Sequence, residues 1–139
     1  MRLSELFLEF EGLDARERLE MLVEFSDSLP GLSAERAAVP PPDECRVREC
    51  QTPVDLWIDV VDGRVHLEAI VPRQSPTIRG LVALMIEGLE GSPADEVIAM
   101  PADVLAPLGL GEALGMQRLH GTQGLIAAIK RRTLAANVS

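Results

Sequence analysis

The chain has 139 residues, with 13 Lys+Arg against 22 Asp+Glu, a formal charge of −9 and 47% apolar residues. That length corresponds to one domain, and the apolar share is enough for a core, which is aliphatic because the aromatics are only Phe7, Phe10, Phe25 and Trp57. So acidic and aromatic-poor a chain lacks the basic footprint and the stacking platform of a nucleic-acid binder. No apolar run reaches the roughly 18 residues of a membrane span; the best, 80–89, already contains Glu87.

Glu5, Glu9 and Glu11 at the N-terminus argue against a secretory or transit segment, and two cysteines without a signal point to the cytoplasm, where thiols stay reduced. Charge is uneven: residues 1–33 carry eight acids and three arginines, whereas 118–139 carry Arg118, Lys130, Arg131 and Arg132 and no acid. The simplest reading is a solvated acidic helix and a basic helix end that suits its dipole.

Leu3, Leu6, Phe7 and Phe10 have helical spacing and predict a short helix over 3–11. Asp14-Ala15-Arg16-Glu17 is a capping-box pattern opening a second helix with the stripe Leu19, Leu22, Phe25, Leu29, stopped by Pro30-Gly31. Residues 31–44, with Pro40-Pro41-Pro42, read as an extended connector. From Val54 to Val60 the pattern alternates, with Val54, Leu56, Ile58 and Val60 on one face. Asp62-Gly63 is a hairpin turn signal, and Val65, Leu67, Ala69 and Val71 form the inward face of a return strand. Because a lone hairpin is marginal in water, a further strand is expected around Arg46–Arg48.

Ser75-Pro76 supplies a cap and an N1 proline for a helix carrying Ile78, Leu81, Val82, Met85 and Leu89, and Ser92-Pro93 repeats the device. Residues 102–111 read as a short helical piece and a bend at Gly109 and Gly111. The last helix is expected from near Gly121, carrying Leu125, Ile126, Ile129 and Leu134. The order predicts an α+β fold: one domain, 1–139, with a small antiparallel sheet of about three strands packed with helices. Its parts are N-terminal helices (1–29), a connector and cysteine loop (30–53), a hairpin (54–71) and C-terminal helices (76–136).

The reactive groups are few: Cys45, Cys50, His66 and His120. A Cys2His2 zinc site from these four has poor spacing, since Cys-x4-Cys is at the edge of the usual range and the histidines are not clustered, so no metal is expected. A Cys45–Cys50 redox pair lacks the C-x-x-C spacing of dithiol motifs. If 46–50 is extended, Arg46, Arg48 and Cys50 share a face and two guanidinium groups favour the Cys50 thiolate. Against this stands the inert reading, a lone cysteine as a small hydrophobe.

Val47-Arg48-Glu49-Cys50-Gln51-Thr52-Pro53-Val54-Asp55-Leu56-Trp57 resembles the Val-x-Gly-Cys-Gln-Ser-x-Val-Trp segment of the SufE family, sulfur-acceptor proteins of iron–sulfur cluster assembly that include the CsdE branch. Leu29-Pro30, Arg79-Gly80-Leu81 and Arg118-x-x-Gly121 have counterparts in the same order, so the likeness runs nearly the whole chain. The resemblance implies a SufE/IscU-like fold and a sulfur carrier. In that reading Cys50 takes persulfide sulfur from a cysteine desulfurase of the SufS/CsdA type, stimulates it, and passes the sulfur to a SufBCD-type scaffold. It also implies a role for Arg118 near the cysteine loop and for Gln51 in orienting that loop, with Trp57 packed beside it. No cofactor of its own is implied, since pyridoxal phosphate belongs to the desulfurase, and no independent reaction beyond transpersulfidation. The protein is expected as a monomer or weak homodimer, with the loop folded against the domain when free.

Glu49 stands where the family pattern has glycine and adds a charge that raises the thiol pKa. Thr52 replaces serine, Pro72-Arg73-Gln74-Ser75 replaces an acidic loop, and Cys45 is additional, as a second sulfur stop or simply buried. The alternatives are an adaptor that binds a desulfurase without chemistry at Cys50 and a Cys45/Cys50 thiol–disulfide protein.

Overall fold

The computed structural model describes residues 1–138, leaving aside the side chains at 112, 113, 116 and 117. The element order is α1 (Leu3–Leu8), α2 (Ala15–Ser26), α3 (Ala34–Ala37), β1 (Asp55–Val61), β2 (Arg64–Ile70), α4 (Pro76–Leu89), α5 (Ala94–Ile98) and α6 (Gly111–Asn137), with 3-10 turns at Asp43–Cys45 and Ala106–Leu108.

α4 is the axis of the core. Every residue from Gly80 to Ile86 is buried, as are Gly88 and Leu89, and a helix apolar all round must be covered on all sides. α1 and α2 cover one side, while β2 lies on another and α6 joins β1 to α2. α2 crosses α4 at Gly80, where a Cβ would lie 1.7 Å from the Leu22 carbonyl oxygen, so no larger residue fits that crossing. Arg79, one residue earlier, donates to the carbonyls of Ser26 (2.9 Å) and Val71 (2.6 Å), tying the end of α2 and the exit of β2 to the start of α4. The Asp14–Glu17 capping box forms in full at the head of α2.

The hairpin has the expected register, Val61 opposite Arg64 around a turn in which Asp62 (φ 52°) and Gly63 (φ 75°) both take the left-handed backbone that such two-residue turns need. The expected third strand is not there: the sheet has two strands, and the segment before it contributes a single bridge, Arg46 to Asp55. The Val47 N–H reaches the Val54 carbonyl (2.8 Å), and the chain then turns at Arg48 and Glu49. Pro53 has no N–H to continue a ladder.

The connector is not extended throughout, since α3 and the turn at Asp43–Cys45 interrupt it. Arg36 of α3 pairs with Asp59 (2.8 Å) and Glu68 and lies over the Trp57 ring at 5.6 Å, which straps the connector across the outer face of the sheet. α6 begins well before Gly121. The expected bend is present at Gly109 (φ 62°), whereas Gly111 opens α6 and a second break falls at Gly115 (φ 78°, ψ 166°); Leu134 is 51% exposed while Thr133 takes the buried position. No helix of the described residues is long and apolar enough to cross a membrane.

Candidate functional site: the cysteine loop and its cleft

The loop 48–53 leaves and re-enters the domain at two fully buried residues, Val47 and Val54, joined by the hydrogen bond between their backbones. A second bond, from the Cys50 N–H to the Val47 carbonyl (3.2 Å), curls the loop so that Cys50 faces inward. The base is held from α6: Arg132 donates to the carbonyls of Cys45 (3.0 Å), Arg46 (2.9 Å) and Leu56 (2.8 Å). Three charge-assisted bonds from one guanidinium fix both ends of the loop relative to the helix.

The tip rests on α6 as well. The Cys50 thiol points to the Gly121 carbonyl oxygen at 3.7 Å, and Glu49 pairs with Arg131 at 3.0 Å. Between these contacts the backbone of α6 is bare: a Cβ on Gly124 would lie 2.5 Å from the Glu49 Cβ. A helix-interior glycine costs about 1 kcal/mol relative to alanine, and this close approach is what it allows.

Cys50 is half-buried and opens on a cleft of about 430 Å³. Ile78 and Leu81 of α4 and Leu125 of α6 line it with apolar side chains, while Gln51, Arg118 and His120 bring polar ones. The structure therefore gathers Cys50, Gln51 and Arg118 at one cleft. Among the described residues no hydrogen bond fixes the Gln51 amide, which is exposed. Trp57 does not line the cleft; it sits on the outer face of the sheet under Arg36.

The electrostatics invert one expectation. Alternation over 46–50 would have put Arg46 and Arg48 beside the thiol, but the turn at Arg48–Glu49 breaks it, and Arg46 turns to Asp55 (3.2 Å). Burial, and then the Glu49 carboxylate, push the Cys50 thiol above its ordinary range. At neutral pH the docked thiol is therefore protonated. Glu49 itself is held below the usual carboxylate range. Burial opposes this, but its own backbone N–H and then the Arg131 guanidinium outweigh that effect.

Cys45 is buried and both cysteines are free thiols, Cys45 with its pKa raised chiefly by burial. The four zinc candidates are not assembled. His66 on β2 bonds Glu90 (2.6 Å), His120 lines the cysteine cleft, and among the described residues no group of three or more His, Cys, Asp and Glu is arranged to hold a metal. Sequence reasoning weighed His120 only as a metal ligand and missed Gly124, Arg131 and Arg132 as parts of the site. Gly121-x-x-Gly124 inside an apolar-striped helix was the available signal, since two small residues three apart open one helix face to close approach.

Comparison with known proteins bears on this geometry. The family model described as "SufE: Fe-S metabolism associated domain" matches residues 4–133. An uncharacterised SufE-like protein of Mycobacterium tuberculosis (strain H37Rv) is 35% identical over 139 residues, spanning 97% of this chain and 93% of its own length. A protein of Plasmodium vivax named cysteine desulfuration protein SufE is 23% identical over 124 residues, covering 81% of this chain and 51% of its own. The solution structure of a hypothetical protein from Thermus thermophilus superposes with a TM-score of 0.82 at 29% identity, covering 99% of this chain and 97% of that one.

Proposed function

The chain belongs to the SufE family, and from that premise we propose that it is a sulfur acceptor for a cysteine desulfurase, carrying sulfur as a persulfide on Cys50. Membership ties the chain to Fe–S metabolism and cysteine desulfuration. The reaction proposed is thiol–persulfide exchange. The Cys50 thiolate attacks the terminal sulfur of a persulfide on the desulfurase, the bond between that sulfur and the desulfurase cysteine breaks, and that cysteine leaves as a thiolate. No electrons are gained or lost overall, and the sulfur then passes to a SufBCD-type scaffold. The desulfurase partner is of the SufS/CsdA type and holds the pyridoxal phosphate. A cytoplasmic setting, where free thiols persist, suits such a carrier.

The observation that carries this reading is the setting of Cys50: a half-buried thiol, its pKa pushed up by burial, on a loop anchored at its base and held only lightly at its tip. Leaving the cleft removes the burial that suppresses ionisation, so reactivity and exposure rise together. Arg118 lines the same cleft, and in this proposal its cation assists at the thiol once the loop has moved. The test is intact mass after incubation with a cysteine desulfurase and L-cysteine without reductant. Wild type and Cys45→Ser are expected to gain one sulfur atom or more, and Cys50→Ser none. If none of the three gains sulfur with any of several desulfurases, the carrier reading fails and an adaptor remains.

A further inference from the structure

We propose that Glu49 and Arg131 are positioning residues for Cys50: their ion pair is a clamp that holds the loop tip on α6, and the thiol becomes accessible when the pair opens. The importance of that access rests on the carrier reading above, whereas the clamp itself is argued from geometry.

The loop has a fixed base and a separable tip. Arg132 and the Val47–Val54 bond hold the base through backbone atoms. The tip is held by contacts to one arc of α6, at Gly121, Gly124 and Arg131. Of these, the thiol–carbonyl contact at 3.7 Å is weak and the Gly124 contact is only van der Waals. The ion pair at 3.0 Å is the directional one, and it acts on the residue next to the nucleophile. Its side chains are 60% and 31% exposed, and they border a shallow, ion-rich depression lined also by Asp43, Arg46 and Arg48. A docking partner or salt can therefore reach and break it.

A clamp and a simple charge effect have opposite signs at Arg131. Removing the guanidinium leaves the Glu49 carboxylate less neutralised, with only the weaker attraction of Arg132. If the loop stayed docked, the thiol would be harder to ionise and Cys50 would react more slowly. If the pair holds the loop, removing it frees the tip and Cys50 reacts faster.

The experiment measures the iodoacetamide alkylation rate of Cys50 at neutral pH in the Cys45→Ser background, so that one thiol reports. Arg131→Met, which keeps the length and packing of the side chain, is compared with Arg131→Lys and with the unmodified clamp. An exposed pair predicts about a twofold to fivefold faster alkylation in Arg131→Met, with recovery in Arg131→Lys. Raising salt to about 1 M, where screening acts within ~3 Å, should accelerate the intact clamp toward the Arg131→Met rate and accelerate Arg131→Met less, since there salt screens only the Glu49 charge on the thiol. An unchanged or slower rate in Arg131→Met overturns the proposal. The assay uses the free protein and no desulfurase, so its failure is separate from a failure of sulfur acceptance.

Discussion

Replacing Gly124 by alanine is the sharpest perturbation the site offers, because the new atom lands where the loop already is. Its Cβ would lie 2.5 Å from the Glu49 Cβ and 3.3 Å from the Glu49 Cγ, whereas ordinary contact begins near 3.4 Å. The Glu49 Cβ moves only with its own backbone, so about 1 Å of separation must come from the loop or from the helix. The helix cannot supply it: Leu125, Ile126, Ala128 and Ile129 are all at most 2% exposed in the core. The loop yields, and a further ångström on the 3.7 Å thiol–carbonyl distance carries it beyond any sulfur hydrogen bond.

Two consequences follow for the thiol. Less burial lowers its pKa toward the ordinary range, and each unit is worth about a tenfold change in thiolate at neutral pH. The alkylation rate of Cys50 in Gly124→Ala is therefore expected to rise by about threefold to tenfold. Global stability changes less, since alanine gains about 1 kcal/mol of helix propensity over glycine against about 1–3 kcal/mol for the overpacking. Gly121→Ala is the matched control, because a Cβ there meets nothing within 4 Å. Stopped-flow or mass-spectrometric alkylation beside urea denaturation reads both quantities. An alkylation rate in Gly124→Ala within about twofold of wild type, or the same acceleration in Gly121→Ala, would refute the docked-loop argument.

Two further outcomes follow from the same contacts. Arg132→Met removes three hydrogen bonds from one cation to the carbonyls of Cys45, Arg46 and Leu56, and is expected to cost about 2–3 kcal/mol in urea denaturation; a loss under about 0.5 kcal/mol would show that water replaces the guanidinium freely. Both thiols have raised pKa values, so the folded state holds their protons more tightly than the unfolded chain. Stability is then full below the ordinary thiol pKa of about 8.5 and falls as pH rises through the folded values. The denaturation midpoint should drop between neutral pH and about pH 9.5, and the drop should be smaller in Cys50→Ser; an identical pH slope in that variant contradicts the shift at Cys50.

What could be read from the sequence was what neighbours in the chain decide. The Asp14 capping box, the Asp62-Gly63 turn and the alternation through the hairpin are local signals, and each has its expected geometry. The third strand failed because it needed the period of two to persist through Arg48 and Glu49, where the chain turns, and through Pro53, which cannot donate. The basic C-terminal run was misread for a different reason. Arg131 and Arg132 lie more than a turn before the end of α6, and their partners are 76 to 87 residues away in the chain. Nothing in the local pattern distinguishes a guanidinium bound to distant carbonyls from one that merely suits a helix end.

The same distinction decides the sign of the chemistry at Cys50. Read as a strand, 46–50 puts two arginines beside the thiol and makes it a standing thiolate. Read as the turn it is, the segment sends Arg46 to Asp55 and leaves the Glu49 charge acting on a thiol already desolvated by the cleft. A carrier with a standing thiolate would be open to any oxidant or electrophile it met. One whose thiol ionises only on leaving the cleft couples reactivity to the partner that draws it out. On the carrier reading, then, the elements that sequence inspection missed are the ones that matter most: the bare helix face at Gly124 and the Arg131 above it. They do no chemistry, but they set when Cys50 can.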